Sequence, residues 1–259
     1  MRAGALAALV VLPGCLSELL EAPYVLSTGL GEARSVCASG RTTMLVASST
    51  GLWEVDGEGR ANPLLTGDCA AVTAGPRAAY AACDGVIRFG PLPPPGALAS
   101  AWARRPMPGV RDMQAWCDGD VMIGDAASVT SWNPETDETA LWAEGLPGLR
   151  AVSLGGGEGC DWLTVVTEHA VWEVKPTGKR ALIEGLVGAR AAALDGRGRL
   201  WVVAGASPAL SRIEEGQRIE FASHLGDARD IAFGYGGLLP PSNAYLADGA
   251  GSLDYVHTP

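Results

Sequence analysis

The sequence predicts an all-β protein, a six-bladed β-propeller with four antiparallel strands in each blade and a circle of blades closed by the N-terminal strand. Three observations lead to this prediction. A short pattern that ends in arginine recurs about every forty residues, each interval contains four short apolar segments, and one such segment is left over near the N-terminus. Short strands separated by turn residues, repeated with such a period, are typical of propeller blades.

The repeated pattern appears as "GEAR", "PGVR", "PGLR", "VGAR" and "GDAR". Its arginines are Arg34, Arg111, Arg150, Arg190 and Arg229. The last four are 39, 40 and 39 residues apart, and the 77 residues between the first two leave room for one more unit, in which Ala70 takes the arginine's place. The chain therefore holds six units, and each arginine is expected to open an innermost strand, so that the five surround one mouth of the central channel.

The order of strands explains how the circle closes. Each unit has four strands in sequence, but the sixth ends after its third strand, "SLDYVHTP", at the C-terminus. The surplus segment "PYVLSTG" (23–29) has the character of a fourth strand. We expect residues 24–28 to pair with residues 252–256, because closure removes two open sheet edges that would otherwise invite aggregation.

The fifth unit contains "ALDGRGRLWVVA" (193–204), which resembles the "D-x-x-G-x-L-W-V-A" hairpin of NHL-repeat and gluconolactonase-like propellers. Asp195 is placed to cap this turn, and Gly198 to supply its positive φ. The resemblance implies the six-bladed fold. It also implies an alternative function, a gluconolactonase-like metal-dependent hydrolase or lyase with its site at the channel mouth, because such propellers hold calcium in the channel with Glu, Asn and Asp side chains.

The ligands of that calcium site have few counterparts here. None of the three asparagines is assigned to an innermost strand: Asn62, Asn133 and Asn243. Asp112 and Asp230 do follow arginines on innermost strands, and carboxylates suit a hard cation, but no full ligand set is visible. The motifs G-x-S-x-G, H-E-x-x-H and G-x-x-x-x-G-K-[ST] are absent. We therefore predict no catalytic residue, no metal site and no cofactor.

The first fifteen residues have the pattern of an export signal, with Arg2 before a short apolar run that ends in "LPGC". "LPGC" resembles the lipobox of bacterial lipoproteins, which implies a signal peptide over 1–14, lipidation of Cys15, a tether over 15–22 and the propeller over 23–259. The alternative is an ordinary signal peptide cleaved nearby. The expected location is the cell envelope, with the chain lipid-anchored to a membrane and facing the periplasm or the exterior.

The cysteines predict disulfides, because an exported chain can form them. Cys69 and Cys83 flank the tight turn "GPR" on adjacent antiparallel strands, and counting back from that turn sets them opposite each other. Cys117 and Cys160 fall at first-to-second-strand turns of neighbouring blades and form a second candidate pair. Cys37, on an innermost strand, is expected to stay a buried free thiol.

A formal net charge of −10 and a pI near 4.8 argue against binding to nucleic acid or anionic lipid through the net field. The five arginines are a local exception, because a guanidinium group binds carboxylate or phosphate in a fork. Three of them have an acid at the second-strand end of their own blade: Arg111 with Asp125, Arg150 with Glu168, and Arg229 with Asp248. Arg34 and Arg190 have none and are the preferred ligand residues. The alternative is that all five are scaffold.

The sequence thus favours a non-enzymatic binding or scaffold module for an unidentified envelope protein or anionic ligand. The hydrolase or lyase is the alternative, and sugar binding through exposed tryptophans is a third hypothesis. The repeated tryptophans are assigned to third and fourth strands: Trp53, Trp132 and Trp172, then Trp102 and Trp142. Packing between blades is the preferred interpretation of them.

Overall fold

The structure is a computed structural model that describes residues 23–39, 42–155, 161–233 and 243–258. The predicted signal peptide, Cys15 and the tether lie outside the described residues. No helix long and apolar enough to cross a bilayer occurs in the described ranges.

The described strands form six four-stranded antiparallel sheets, which are the six predicted blades. Blade one consists of β2 Ala33–Ala38, β3 Thr43–Ser48, β4 Gly51–Asp56 and β5 Ala61–Thr66. Blade two consists of β6 Cys69–Ala74, β7 Ala79–Cys83, β8 Val86–Gly90 and β9 Ala103–Pro106. Blade three consists of β10 Asp112–Ala115, β11 Val121–Gly124, β12 Val129–Trp132 and β13 Thr139–Ala143. Blade four consists of β14 Leu149–Leu154, β15 Leu163–Thr167, β16 Ala170–Lys175 and β17 Gly178–Glu184. Blade five consists of β18 Ala191–Leu194, β19 Leu200–Ala204, β20 Ala209–Glu214 and β21 Gln217–Ala222. Blade six consists of β22 Ala228–Phe233, β23 Asn243–Asp248 and β24 Ser252–His257, and its fourth strand is β1 Tyr24–Thr28. The first strand of each blade lies innermost, against the channel.

Closure of the circle occurs as predicted. The last sheet has the order β1-β24-β23-β22, and β1 pairs antiparallel with β24, from Tyr24 opposite Tyr255 to Thr28 opposite Ser252. The two ends of the described chain are therefore held in one blade.

The core consists of apolar clusters that fill the spaces between neighbouring blades. Five clusters connect blades one and two, two and three, three and four, four through six, and six and one. The predicted packing role of the repeated tryptophans is confirmed. Trp132 is fully buried, as is Trp201 of blade five. The remaining four are buried or half-buried and contact a core cluster: Trp53, Trp102, Trp142 and Trp172.

One strand assignment is wrong. Trp102 was expected on a fourth strand, but β9 begins only at Ala103. The preceding segment forms a turn instead, in which the N–H of Trp102 donates to Ala99 O at 3.2 Å and the indole donates to Pro91 O at 2.9 Å. The prolines before it favour such a turn over an extended strand.

The cysteine predictions have two tested outcomes. Cys69 and Cys83 lie opposite each other in the β6–β7 register and form a disulfide, as predicted. Cys37 is a free thiol on β2, as predicted, but its side chain is half-buried where full burial was expected. Loss of solvent around its sulfur raises its pKa. Cys160 lies outside the described residues, so its bond to Cys117 stays a prediction.

Candidate binding site at the channel mouth

The repeated arginine position owes its geometry to a local irregularity of the innermost strand. In β2, β6, β14 and β22 the register skips one residue, and the skipped residues are Arg34, Ala70, Arg150 and Arg229. An extra residue in one strand of a pair is a β-bulge, which re-aims the side chain at that point. Arg111 and Arg190 stand directly before β10 and β18, each with its N–H bonded to the second strand.

The bulges and strand starts bring the five arginines to one end of the channel. All five, together with Ala70 from the blade that lacks one, line a cavity of about 710 Å³. The predicted placement of Arg34, Arg111, Arg150, Arg190 and Arg229 around one mouth is therefore correct. Whether they bind a ligand is a separate matter, which depends on their partners.

The expected partners of these arginines are wrong in three cases. Arg34 was expected to lack an acid, but it contacts Asp68 at 2.6 Å and Glu32 at 3.3 Å. Arg190 was expected to lack one too, but it pairs with Asp227. Neither is a free cation, so neither remains a preferred ligand residue.

Arg229 also departs from its expected pairing within the blade. Its guanidinium contacts Asp227 at 2.7 Å and Glu32, whereas Asp248 accepts the backbone N–H groups of Asp227 and Ala250. Asp248 therefore caps a turn instead of neutralising the arginine.

These contacts form one network, in which three arginines and three carboxylates alternate from blade five to blade two. Hydrogen bonds from Arg229 and Arg34 lower the pKa of Glu32. Burial tends to raise the pKa of Asp227, but its hydrogen bonds with Arg190 and Arg229 outweigh burial and hold it below the ordinary value. This side of the mouth is therefore charge-balanced at neutral pH.

One rule accounts for the ion pairs between blades in this network: Arg34, Arg190 and Arg229 each meet the residue two places before the repeat position of the next blade. That residue is acidic in blades one, two and six, where it is Glu32, Asp68 and Asp227. It is glycine in blades three, four and five, where it is Gly109, Gly148 and Gly188, all with positive φ. Since a left-handed turn there favours glycine, the acid is lost where the turn glycine occupies its place.

The rule gives Arg111 and Arg150 no carboxylate from the next blade, because that blade offers each of them a glycine. Arg111 Nη1 donates to Leu149 O at 3.0 Å. Burial tends to raise the pKa of Asp125, the acid expected beside Arg111, but hydrogen bonds from Ala127 and Ser128 and the charge of Arg111 lower it; within the described ranges the two side chains form no salt bridge. Arg150 is 50% exposed, and its nearest carboxylate, Glu168, lies 3.9 Å away. Leu149 directly precedes Arg150, so the two least neutralised guanidinium groups belong to neighbouring positions on one side of the mouth.

The acid expected for each paired arginine stands at the end of the second strand of its own blade, and among the described residues only Glu168 beside Arg150 is in salt-bridge range there. The contacts of Arg34, Arg190 and Arg229 run instead to acids two residues before a repeat position, in the same blade or in the next one. The signal was present: "GEAR", "GDCA" and "GDAR" carry an acid two residues before the repeat position, whereas "PGVR", "PGLR" and "VGAR" carry glycine there.

The channel behind the mouth is narrow and holds two carboxylates. It encloses about 180 Å³ and is lined by Asp112 and Asp230 from blades that face each other across the axis. Asp230 Oδ2 accepts the N–H of Val36 at 2.8 Å, and Asp112 Oδ2 accepts that of Val152 at 2.7 Å. Each carboxylate thus connects its blade to the next.

Burial and mutual repulsion disfavour ionisation of this pair. Burial raises the pKa of Asp230 to about 6, and burial together with the charge of Asp230 raises the pKa of Asp112 well above its ordinary value. Among the described residues, no lysine, arginine or histidine lines the channel to offset these charges.

The protonation of Asp230 makes stability depend on pH. Because its folded-state pKa is raised from 3.8 to about 6, the stabilisation it contributes is complete below pH 3.8 and is lost as pH rises through about 6. We expect Asp230→Asn to become more stable relative to the parent by roughly 1 to 3 kcal/mol between about pH 4 and about pH 8. Urea unfolding of both proteins across that range measures the difference, and two parallel pH profiles would contradict it.

The residues of the channel do not fit the calcium site of gluconolactonase-like propellers. Among the described residues, no group of three or more His, Cys, Asp or Glu side chains could hold a metal. Asp112 and Asp230 already accept backbone N–H groups, and no asparagine lies on an innermost strand of the described chain. The arrangement connects blades and offers no cation cage.

Comparison with solved structures establishes the fold. A putative gluconolactonase has a TM-score of 0.69 at 11% identity, covering 91% of each chain. A gluconolactonase from Xanthomonas campestris has 0.68 at 14% identity, covering 91% of this chain and 88% of that one. A streptogramin B lyase structure has 0.61 at 11% identity, covering 92% and 97%. No family model and no curated protein matches the chain.

The fold and the site together define a class of protein. The chain is a six-bladed β-propeller whose fold is like that of gluconolactonases and a streptogramin lyase, with five arginines at one channel mouth. At sequence identities this low, the similarity shows a shared fold but does not show a shared activity, because propellers host many unrelated activities.

Proposed function

We propose that this protein is an exported binding module whose channel mouth takes an anionic group, a carboxylate or a phosphate, at Arg111 and Arg150. The observation that carries the proposal is the asymmetry of the mouth. Arg34, Arg190 and Arg229 each contact at least one carboxylate within 2.7 Å, whereas the nearest acid to Arg150 is 3.9 Å distant. A guanidinium group without a bound carboxylate is the one that an anion can engage in a fork.

The overall charge supports a selective site. A chain with formal net charge −10 repels anions in general, so retention of one requires a local cluster of positive charge. The mouth supplies that cluster on the side of blades three and four, where the turn glycines replace the acids. A partner that presents an acidic segment, or a small polycarboxylate, has the required chemistry.

The setting we propose is the cell envelope, with the chain anchored by a lipid on Cys15. The proposal rests on the lipobox-like "LPGC" after a short apolar run. It agrees with the disulfide between Cys69 and Cys83, since such bonds persist in oxidising compartments. Labelling with radioactive palmitate, abolished by Cys15→Ala, would test the anchor.

We do not adopt the hydrolase or lyase alternative, because the channel residues do not fit the calcium site that it requires. Its support is the likeness in fold alone. Purified protein that retained a stoichiometric metal ion and hydrolysed a lactone would overturn this choice.

The proposed function is tested by the charge selectivity of binding. Fluorescently labelled hexaglutamate and hexalysine peptides serve as probes, and fluorescence anisotropy measures their affinities. We expect hexaglutamate to bind despite the negative net charge and to weaken as salt rises, because the arginines are solvent-exposed. Preference for hexalysine, or no binding of hexaglutamate at low salt, would contradict the proposal.

A further inference from the structure

A second cleft lies at the opposite end of the propeller from the arginine mouth, between blades two and three. It encloses about 650 Å³, within the range of small-molecule sites. Its walls are the β6–β7 turn of blade two and the β10–β11 and β12–β13 turns of blade three. Because these turns lie at the ends of the innermost strands remote from the arginines, the cleft is independent of the site described above.

Aromatic side chains form the walls of this cleft. Tyr80 and Phe89 line it and stack with ring centres 5.9 Å apart, and Trp116 lines it from blade three. The indole of Trp132 packs edge-on against both stacked rings, at 6.1 and 5.1 Å. The aromatic wall is thus fixed by the core behind it, so no reorganisation is needed before a ligand packs there.

The phenol of Tyr80 lies in this wall. Tyr80 is 7% exposed, and no hydrogen bond joins its hydroxyl to another described residue. The hydroxyl is not among the buried atoms that lack a partner, so solvent in the cleft reaches it. Burial and the negative charge of Glu135 raise its pKa, so at neutral pH it is a phenol that can both donate and accept.

Charged groups stand at the lip of the cleft. Arg77 from blade two and Glu135 from blade three form an ion pair at 3.3 Å, with side chains 89% and 80% exposed. An ion pair so exposed contributes little to stability, so it does not serve to hold the blades together. Asp118 adds a second carboxylate beside it, which makes the lip unfavourable for anions.

We propose that this cleft binds an uncharged saccharide of one or two rings. The apolar face of a sugar ring packs on the aromatic wall, while its hydroxyl groups exchange hydrogen bonds with the Tyr80 phenol inside and with Arg77 and Glu135 at the lip. Sugar hydroxyls both donate and accept, which matches a phenol and a guanidinium–carboxylate pair. The inference stands independently of the anion site.

Saturation-transfer NMR with glucose, N-acetylglucosamine, maltose and chitobiose at millimolar concentration tests the proposal. We expect the parent to transfer magnetisation to at least one of these sugars. Tyr80→Phe should weaken that sugar's binding roughly three- to tenfold, because it removes one hydrogen bond, and should leave the melting temperature unchanged because the hydroxyl has no protein partner. Glu135→Gln, on the exposed lip, should also weaken it.

The double variant Arg111→Ala/Arg150→Ala is the matched control and should bind the sugar as the parent does. Failure of the parent to bind any of the four sugars would overturn the proposal. Equal binding by the parent, Tyr80→Phe and Glu135→Gln would overturn it too, because the site would then lie elsewhere.

Discussion

Deletion of residues 16–30 is expected to unfold the whole propeller. The deletion removes β1, which supplies the fourth strand of blade six, and Leu30, which is fully buried between blades six and one. Leu30 N donates to Gly251 O at 3.1 Å, and Leu30 O accepts from Thr50 Oγ1 at 2.7 Å. The loss exposes β24 and opens the circle, a cost of several kcal/mol against a typical stability of about 5–15 kcal/mol.

Point variants make the same prediction quantitative. Leu30→Ala is expected to lower the free energy of unfolding by about 2–5 kcal/mol. Val25→Ala, in the same segment but 60% exposed, should change it by less than about 0.5 kcal/mol. Thermal and urea unfolding measure both. A truncated chain with the parent's melting temperature would refute closure by β1.

Trp201→Ala is expected to destabilise the protein by about 3–5 kcal/mol. Trp201 is fully buried in the largest core cluster, with Phe221 and Phe233 at 5.4 and 6.1 Å between ring centres. Its indole N–H donates to Asp195 Oδ2 at 2.9 Å. The variant therefore leaves a cavity and removes one of the donors to a buried carboxylate.

The control for Trp201 is Ile219→Ala, in the same blade but 40% exposed. Ile219→Ala should lower the free energy of unfolding by well under half as much as Trp201→Ala, because its side chain loses less contact on truncation. Trp201→Phe should lower it by an intermediate amount, since phenylalanine keeps most of the packing but loses the hydrogen bond to Asp195. Equal destabilisation by all three variants in urea unfolding would refute the packing argument.

The fold could be predicted from the sequence because the repeat fixes it several times over. The arginine spacing, the period-two strands and the surplus segment over 23–29 all require six blades and closure by β1. The Cys69–Cys83 pair followed from counting back along two strands from one turn. The start of β9 was mispredicted because the prolines before it favour a turn, and the alternation of apolar and polar residues does not reveal that turn.

The charge balance of the mouth could be predicted only in part. The strand pattern gives the position of each arginine, but the partner depends on how adjacent blades are rotated about the axis, which no single blade reveals. For this reason the sequence pattern wrongly predicts that Arg34 and Arg190 lack an acidic partner. In the structure they form ion pairs with Asp68 and Asp227 of the next blades. The aromatic cleft was also missed, since it combines turns from two blades.

The proposed anion site at Arg111 and Arg150 is best tested by comparing two double variants of equal charge. Arg111→Ala/Arg150→Ala removes the proposed site. Arg60→Ala/Arg104→Ala removes two exposed arginines that do not line the mouth. Both double variants change the net charge by the same amount. A difference in their affinity for an anionic peptide therefore depends on where the removed arginines lie and not on the total charge.

The measurement is the affinity of labelled hexaglutamate for the parent and both variants at one low salt concentration. We expect the mouth variant to lose at least about tenfold in affinity, equivalent to about 1.4 kcal/mol, while the control variant stays within about twofold of the parent and both keep its melting temperature. Equal affinities of the two variants would show that Arg111 and Arg150 do not form the anion site.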